Sequence, residues 1–246
     1  MTTNDVAAAR AALAPTGKLR AGLNFSNFLL TRKEPGTGAP GGVAVDMANE
    51  LGRRIGVPVE FVGYPQPGPM ADAAGSGVWD IAFLGAEPAR AQSIDFTAAY
   101  VEIEATYLVP AGSKIQSIDE VDRPGIRIAV SDKSAYQLFL SRNLKHAELW
   151  KVDGVDNSYE IFVSKKLEAL SGLRPRLVSD VEKLPGARIL SGRFTAIQQA
   201  IGTPKGRNPA GAAYLRAFVE EMKSNGFVGA AIERNNARGL TVAPKA

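Results

Sequence analysis

The chain has 246 residues, a formal net charge of +4, one histidine (His146) and no cysteine. Disulfides, thiolate metal sites and cysteine nucleophiles are excluded, and a single histidine cannot supply a multi-histidine metal centre. The pI near 9.3 comes from Lys and Arg spread singly or in pairs (Arg53-Arg54, Lys165-Lys166), which reads as solvated helix faces rather than a phosphate track, so no nucleic-acid partner is expected.

At 45% hydrophobic and 22% charged residues the composition is that of a soluble globular protein, and the length suits two α/β lobes of about 100 residues each. Residues 1–17 lack a basic segment followed by an apolar run, and no stretch of about 18 apolar residues occurs anywhere. The expected location is the periplasm if a signal peptide was removed, and the cytoplasm otherwise.

The first strand is predicted at 19–23, running into Asn24-Phe25-Ser26-Asn27-Phe28, and the Pro/Gly cluster at 34–42 reads as a turn. Residues 45–55 place Met47, Ala48, Leu51 and Ile55 on one helical face, and Gly56 stops the helix. A strand at 58–62, a short helix at 70–74 and a buried strand at 79–84 continue a parallel rhythm of strand and helix. Residues 100–110 form an extended crossing. A second unit follows: strand 126–130, helix 134–144, strand 147–152, then over 157–170 a helix and the approach to another strand. Residues 194–203 cross back, and helices at 214–225 and 228–236 close the chain. The expected fold is α/β with two lobes: 1–107 plus 203–246 form the first, and 108–202 the second. In such sheets a ligand lies beyond the carboxyl ends of the strands, here expected in the cleft between the lobes.

Three segments then carry a resemblance. They are Val45-Asp46-Met47-Ala48-Asn49-Glu50-Leu51 before Gly56-Val57, the run Gly77-Val78-Trp79-Asp80-Ile81, and above all Glu87-Pro88-Ala89-Arg90-Ala91-Gln92-Ser93-Ile94-Asp95-Phe96-Thr97. Together they resemble the family-3 extracellular solute-binding proteins, the polar-amino-acid-type receptors of ABC importers, over roughly 17–236. The resemblance implies a type II periplasmic-binding-protein fold with a two-strand hinge near 106–110 and 199–203. It also implies capture of a small carboxylate-bearing ligand and presentation to an ABC permease, by a monomer without cofactor or metal.

Arg90 matches the arginine that grips the ligand carboxylate in that family; its planar fork presents two parallel donors, which a lysine cannot reproduce. The plainer alternative is a surface arginine paired with Glu87 or Asp95. Gly85 ends the preceding strand. Ser131 and Ser134 open a helix after the first strand of the second lobe, where the backbone N–H groups and the Ser134 hydroxyl suit an anion, or simple capping. Asn24 and Asn27 offer amide donors and acceptors, while Phe25, Phe28 and Tyr64 are possible apolar walls. Gln198 and Gln199 are placed for the cleft or for hinge hydrogen bonds, and Trp79 and Trp150 for the core.

The chain also departs from the pattern. Glu87 stands where the family places Ser or Thr, and Leu173 where it places an ammonium-binding Asp, with Arg174 beside it. Either Glu87 takes over the ammonium, or the ligand has none and Arg174 adds a second anion contact, as for a di-acid. These departures leave two alternatives to transport: a dehydratase-like enzyme using Glu87 as its acid, and a soluble metabolite sensor.

Overall fold

The computed structural model describes residues 3–246. Contacts divide the chain into two units, one ending at Glu102 and resumed at Gln198–Ala246, the other spanning Ile103–Ile197. Against the expected limits at 107 and 203, both divisions fall five residues earlier, each inside a strand.

The first segment comprises α1 (Thr3–Leu13), β1 (Leu19–Asn24), β2 (Arg32–Lys33), β3 (Pro40–Gly41), α2 (Val43–Ile55), β4 (Val59–Tyr64), α3 (Pro67–Asp72), β5 (Ile81–Gly85) and β6 (Ile94–Val109). The second unit holds the end of β6, then β7 (Arg127–Ser131), α4 (Ala135–Asn143), β8 (Glu148–Val152), α5 (Val155–Ser164), β9 (Ala169–Leu173), α6 (Arg174–Val181) and β10 (Arg188–Ile189). The strand β11 (Thr195–Pro204) leads back to α7 (Pro209–Ser224), α8 (Phe227–Arg234) and β12 (Leu240–Val242).

In the first unit β1 lies between β4 and β5, parallel to both, and β11 runs antiparallel along β5 with Gln199 opposite Gly85. The helix α2 buries Val43, Ala44, Val45, Met47, Ala48, Leu51 and Ile55, the stripe expected of an amphipathic helix packed on a sheet. It ends as predicted at Gly56, whose φ of 68° is the left-handed conformation that lets its N–H cap the Gly52 carbonyl. Under the sheet, Met70, Trp79, Ala82, Leu84 and Ile94 form a core cluster, and the Trp79 indole N–H donates to the Met70 carbonyl at 3.0 Å.

One acid organises the region between β1 and β5. The Asp80 side chain is wholly buried and accepts from the Arg20 backbone N–H (3.0 Å), Arg20 Nε (2.9 Å), Arg20 Nη2 (2.8 Å) and Arg207 Nη1 (2.7 Å). Burial pushes the carboxyl up, and the hydrogen bonds from Arg20 and Arg207 more than reverse this, holding its pKa below the ordinary value.

In the second unit β7 lies between β8 and β9, parallel to both, and β9 runs antiparallel to β6. Alternate residues face opposite layers. Ile128 and Val130 join Tyr107, Val109 and Leu140 in one cluster, while Ala129 joins Leu108, Phe162, Leu170 and Leu177 in another. A sheet buried on both faces explains why the 126–130 run reads as continuously apolar.

Three departures from the predicted elements have physical causes. The helix α1 has no predicted counterpart, because Ala7, Ala8, Ala9, Ala11 and Ala12 favour a helix without marking an apolar face. It is nonetheless packed, with Ala9 and Leu13 buried and Arg10 Nε on the Ile55 carbonyl at 2.6 Å. The helix α6 was likewise unpredicted, since it opens Arg174-Pro175-Arg176 with little apolar pattern. And α7 starts five residues before the predicted 214, where the Asn208 side chain caps the Ala210 N–H and Pro209 sits at the first position.

Candidate ligand-binding site

The parallel strands of the first unit discharge their loops at one edge. Asn24 and Tyr64 are register partners at the ends of β1 and β4, and Gly85 ends β5, three residues beyond the Gly22–Ala82 pair. Carboxyl ends of adjacent parallel strands are where such sheets bind ligands. Asn24, Asn27, Tyr64, Gly85, Glu87 and Arg90 are thereby brought to the same side of one unit.

Arg90 begins a short 3₁₀ turn just past β5, held by the Ala91 N–H on the Glu87 carbonyl at 2.9 Å. It is not the surface arginine of the plainer alternative, being only 6% exposed. One fork nitrogen, Nη1, donates to the Gly85 carbonyl at 2.7 Å. Burial pushes the guanidinium down to about 10, against the opposing pull of Glu87 and Asp72. It therefore stays charged at neutral pH, with two acids near it. Glu87 is itself buried. Asp72, at the end of α3, escaped the sequence reading; its position on the helix that follows β4, at the same sheet edge, was the available signal.

The loop after β1 is built largely from its own backbone. The Asn24 side chain accepts from the Ser26 N–H (3.1 Å) and hydroxyl (2.8 Å), an Asx turn. The Asn27 N–H donates to the Asn24 carbonyl, and the Asn27 carbonyl accepts from the Leu30 and Thr31 N–H groups, both at 3.0 Å. Phe25 packs over Gly63, where a Cβ would lie 2.6 Å from the ring, and Lys33 Nζ lies 5.3 Å from the centroid of the Phe25 ring as a cation–π partner. Phe28 stands half exposed. Tyr64 packs against the Met70–Trp79 cluster, and burial raises its hydroxyl pKa.

In the second unit Ser131 ends β7 and Ser134 caps α4, its hydroxyl accepting from the Gln137 N–H at 3.1 Å. The buried Tyr136 hydroxyl is pushed up by burial and pulled partly back by hydrogen bonds to Ser134 and Ser131. Both serines are buried and thus already engaged by the protein. Arg174 places Nε on Glu104 at 2.7 Å and Nη2 on the Gly192 carbonyl. Its charge is met within its own unit. Gln198 donates from Nε2 to Glu102 at 2.9 Å and accepts the Ala86 N–H, the hydrogen bonding expected of a crossing strand. Trp79 is core, and Trp150 packs at the edge of the second unit's Ala129–Phe162 cluster.

The chain belongs to the bacterial extracellular solute-binding proteins, family 3, whose model matches residues 29–235. Among solved structures it is similar to AncCDT-1, an ancestral amino acid-binding protein and precursor of cyclohexadienyl dehydratase, at 22% identity and a TM-score of 0.73, over 90% of this chain and 96% of that one. A mutant of ArgBP from T. maritima is similar at 18% identity and a TM-score of 0.75, over 94% and 100% of the two chains. So is a putative binding component of an ABC transporter from Wolinella succinogenes complexed with lysine, at 20% identity and a TM-score of 0.74, over 89% and 95%. No curated protein sequence matches the chain. The fold is thus the two-lobed α/β type II periplasmic-binding fold. The first of these similar structures is described as an amino acid-binding protein and the third as a binding component of a transporter. Among the described residues no group of His, Asp and Glu is arranged to hold a metal ion.

Proposed function

We propose that the protein captures a small carboxylate-bearing solute for ABC-type import, with Arg90 as the carboxylate anchor and an amino acid favoured over a di-acid. The observation that carries this is a buried arginine, still cationic at neutral pH, at the edge where three parallel strands end. A guanidinium penalised by burial gains from an incoming anion, because a charge-assisted hydrogen bond replaces solvation that the protein has removed.

Glu87 and Asp72 set the second preference. One arginine beside two acids carries a formal net negative charge, which suits a ligand bearing a cationic group as well as a carboxylate. A di-acid would place a second carboxylate in that field. The role considered for Arg174 as an extra anion contact is disfavoured by its engagement with Glu104. Similar proteins are described with lysine or arginine bound, which agrees with this preference. Ser131 and Ser134 remain candidate ligand contacts of the second unit through the opening of α4. The expected partner is an ABC permease, and the expected state a monomer.

A thermal-shift screen of amino acids, dicarboxylates and aromatic acids tests the reading. A true ligand at a hundredfold over its dissociation constant stabilises by about 2.7 kcal/mol. Amino acids should shift the melting temperature and dicarboxylates should not. The reading fails if no small carboxylate produces a shift.

A further inference from the structure

In the second unit Pro110, Phe162, Val163, Lys166, Leu167 and Leu184 line a pocket of about 250 Å³. An apolar cavity of about 150 Å³ already holds a benzene ring, so this pocket has room for a chain of several carbons. All of its lining residues are apolar except Lys166. It lies where the chain passes from α5 into β9, at the amino ends of β7 and β9. There the Lys166 carbonyl accepts from Nη2 of Arg127, the first residue of β7, at 2.9 Å. Ser131 and Ser134 stand at the opposite, carboxyl end of β7.

The way α5 ends builds this pocket. The Lys166 N–H donates to the Val163 carbonyl at 3.2 Å and the Leu167 N–H to the Phe162 carbonyl at 3.0 Å, the paired bonds that close a helix through one left-handed residue. Leu167 and Phe162 share a core cluster, as the apolar contact of that motif requires. The left-handed residue is Lys166, with φ 49°. Gly56, Gly226 and Asn236 hold the left-handed positions that follow α2, α7 and α8. A lysine Cβ crowds the backbone in this conformation, so the side chain at 166 is kept at a cost to the fold. Lys166 is exposed, and among the described residues its ammonium makes no ion pair. The adjacent acid, Glu168, gives its two oxygens to Arg127 at 2.8 and 2.9 Å. Apolar walls beside an uncommitted cation complement an occupant with an apolar body and an anionic head.

We propose that this pocket is a second binding site, for a free medium-chain carboxylate whose hydrocarbon chain enters between Phe162, Leu167 and Leu184 and whose carboxylate meets Lys166. A diacyl lipid exceeds the volume, which makes a free solute the occupant rather than a membrane. The site does not depend on Arg90 and stands or falls apart from the function proposed above.

The test titrates butyrate, hexanoate, octanoate and octylammonium into the full chain by calorimetry. Octanoate should bind, and each pair of methylenes from butyrate to octanoate should tighten binding by about tenfold. Octylammonium, with the same chain and the opposite charge, should bind more weakly than octanoate. Lys166→Gly should weaken octanoate by about tenfold and yet raise the melting temperature of the free protein, because glycine relieves the left-handed backbone. A lysine with only a structural role could not give both. Val163→Trp, at the exposed rim, should fill the pocket and abolish octanoate binding.

Four results overturn the proposal. Octanoate does not bind at millimolar concentration; octylammonium binds as well as octanoate; Lys166→Gly leaves octanoate affinity unchanged; or the chain binds anionic phospholipid vesicles through Lys166 and ignores octanoate. Loss of octanoate binding in Arg90→Ala, with Lys166→Gly unaffected, would assign octanoate to the first unit, which overturns this site and leaves the carboxylate role of Arg90 standing.

Discussion

The first unit contains two buried ionic clusters that solve opposite problems. At Asp80 a carboxylate is enclosed by two arginines that donate to it at 2.7–3.0 Å, and its pKa falls below the ordinary value. The same contact raises the pKa of Arg20. At Arg90 the signs are reversed: a guanidinium stands near two acids, and burial still lowers its pKa to about 10. In the first cluster the chain's own hydrogen bonds overcome the desolvation of the charge. In the second, desolvation prevails. A guanidinium whose charge is still penalised by burial gains from an incoming anion, and this difference separates a structural ion cluster from a candidate binding site.

The largest expected effect comes from breaking the structural cluster. Asp80→Ala strands Arg20 and Arg207 and should cost about 3–5 kcal/mol in urea denaturation. If the loss is under about 1 kcal/mol, the arginines find water readily and the cluster is not the anchor described here.

Acid should act on the same cluster. Asp80 and Glu50 both have lowered pKa values, Glu50 reaching about 2 through Arg53 chiefly and also Arg54. A carboxylate whose folded pKa lies below its unfolded one stabilises the fold above the unfolded value, near 4, and loses that contribution as pH falls through the folded value. Melting temperature should therefore hold down to about pH 5 and then decline steadily toward pH 2. A flat profile across that window contradicts the assigned directions.

The smallest effect is expected at Arg174. Its pair with Glu104 is partly exposed on both sides, so Arg174→Ala should change stability by no more than about 1 kcal/mol. It should leave solute affinity unchanged. A loss of affinity there would restore the second-anion role and with it a di-acid ligand.

The order of strands and helices was legible because each unit repeats a pattern that burial enforces: the stripe of α2, the apolar β5 and β7, and the glycine stop at Gly56. What was not legible depended on contacts distant in sequence. The alanines of α1 show no face until α7 packs on them, with Gly211 close against Ala12 and Leu13. For the site, the run through Glu87 and Arg90 located the arginine by its resemblance. Its burial, its Gly85 contact and the approach of Asp72 required the fold. Arg174 and Gln198 could be placed near a ligand on sequence position, but Glu104 and Glu102, strand neighbours on β6, bind them in the structure.

The most direct test of the central claim is the affinity of Arg90→Ala for an amino acid that shifts the wild-type melting temperature, measured by titration calorimetry. If Arg90 anchors the carboxylate, the dissociation constant should rise by about a hundredfold or more, while Arg20→Ala, at the structural cluster, lowers the melting temperature and leaves affinity intact. An Arg90→Ala protein that is folded and binds as tightly as the wild type would contradict the account.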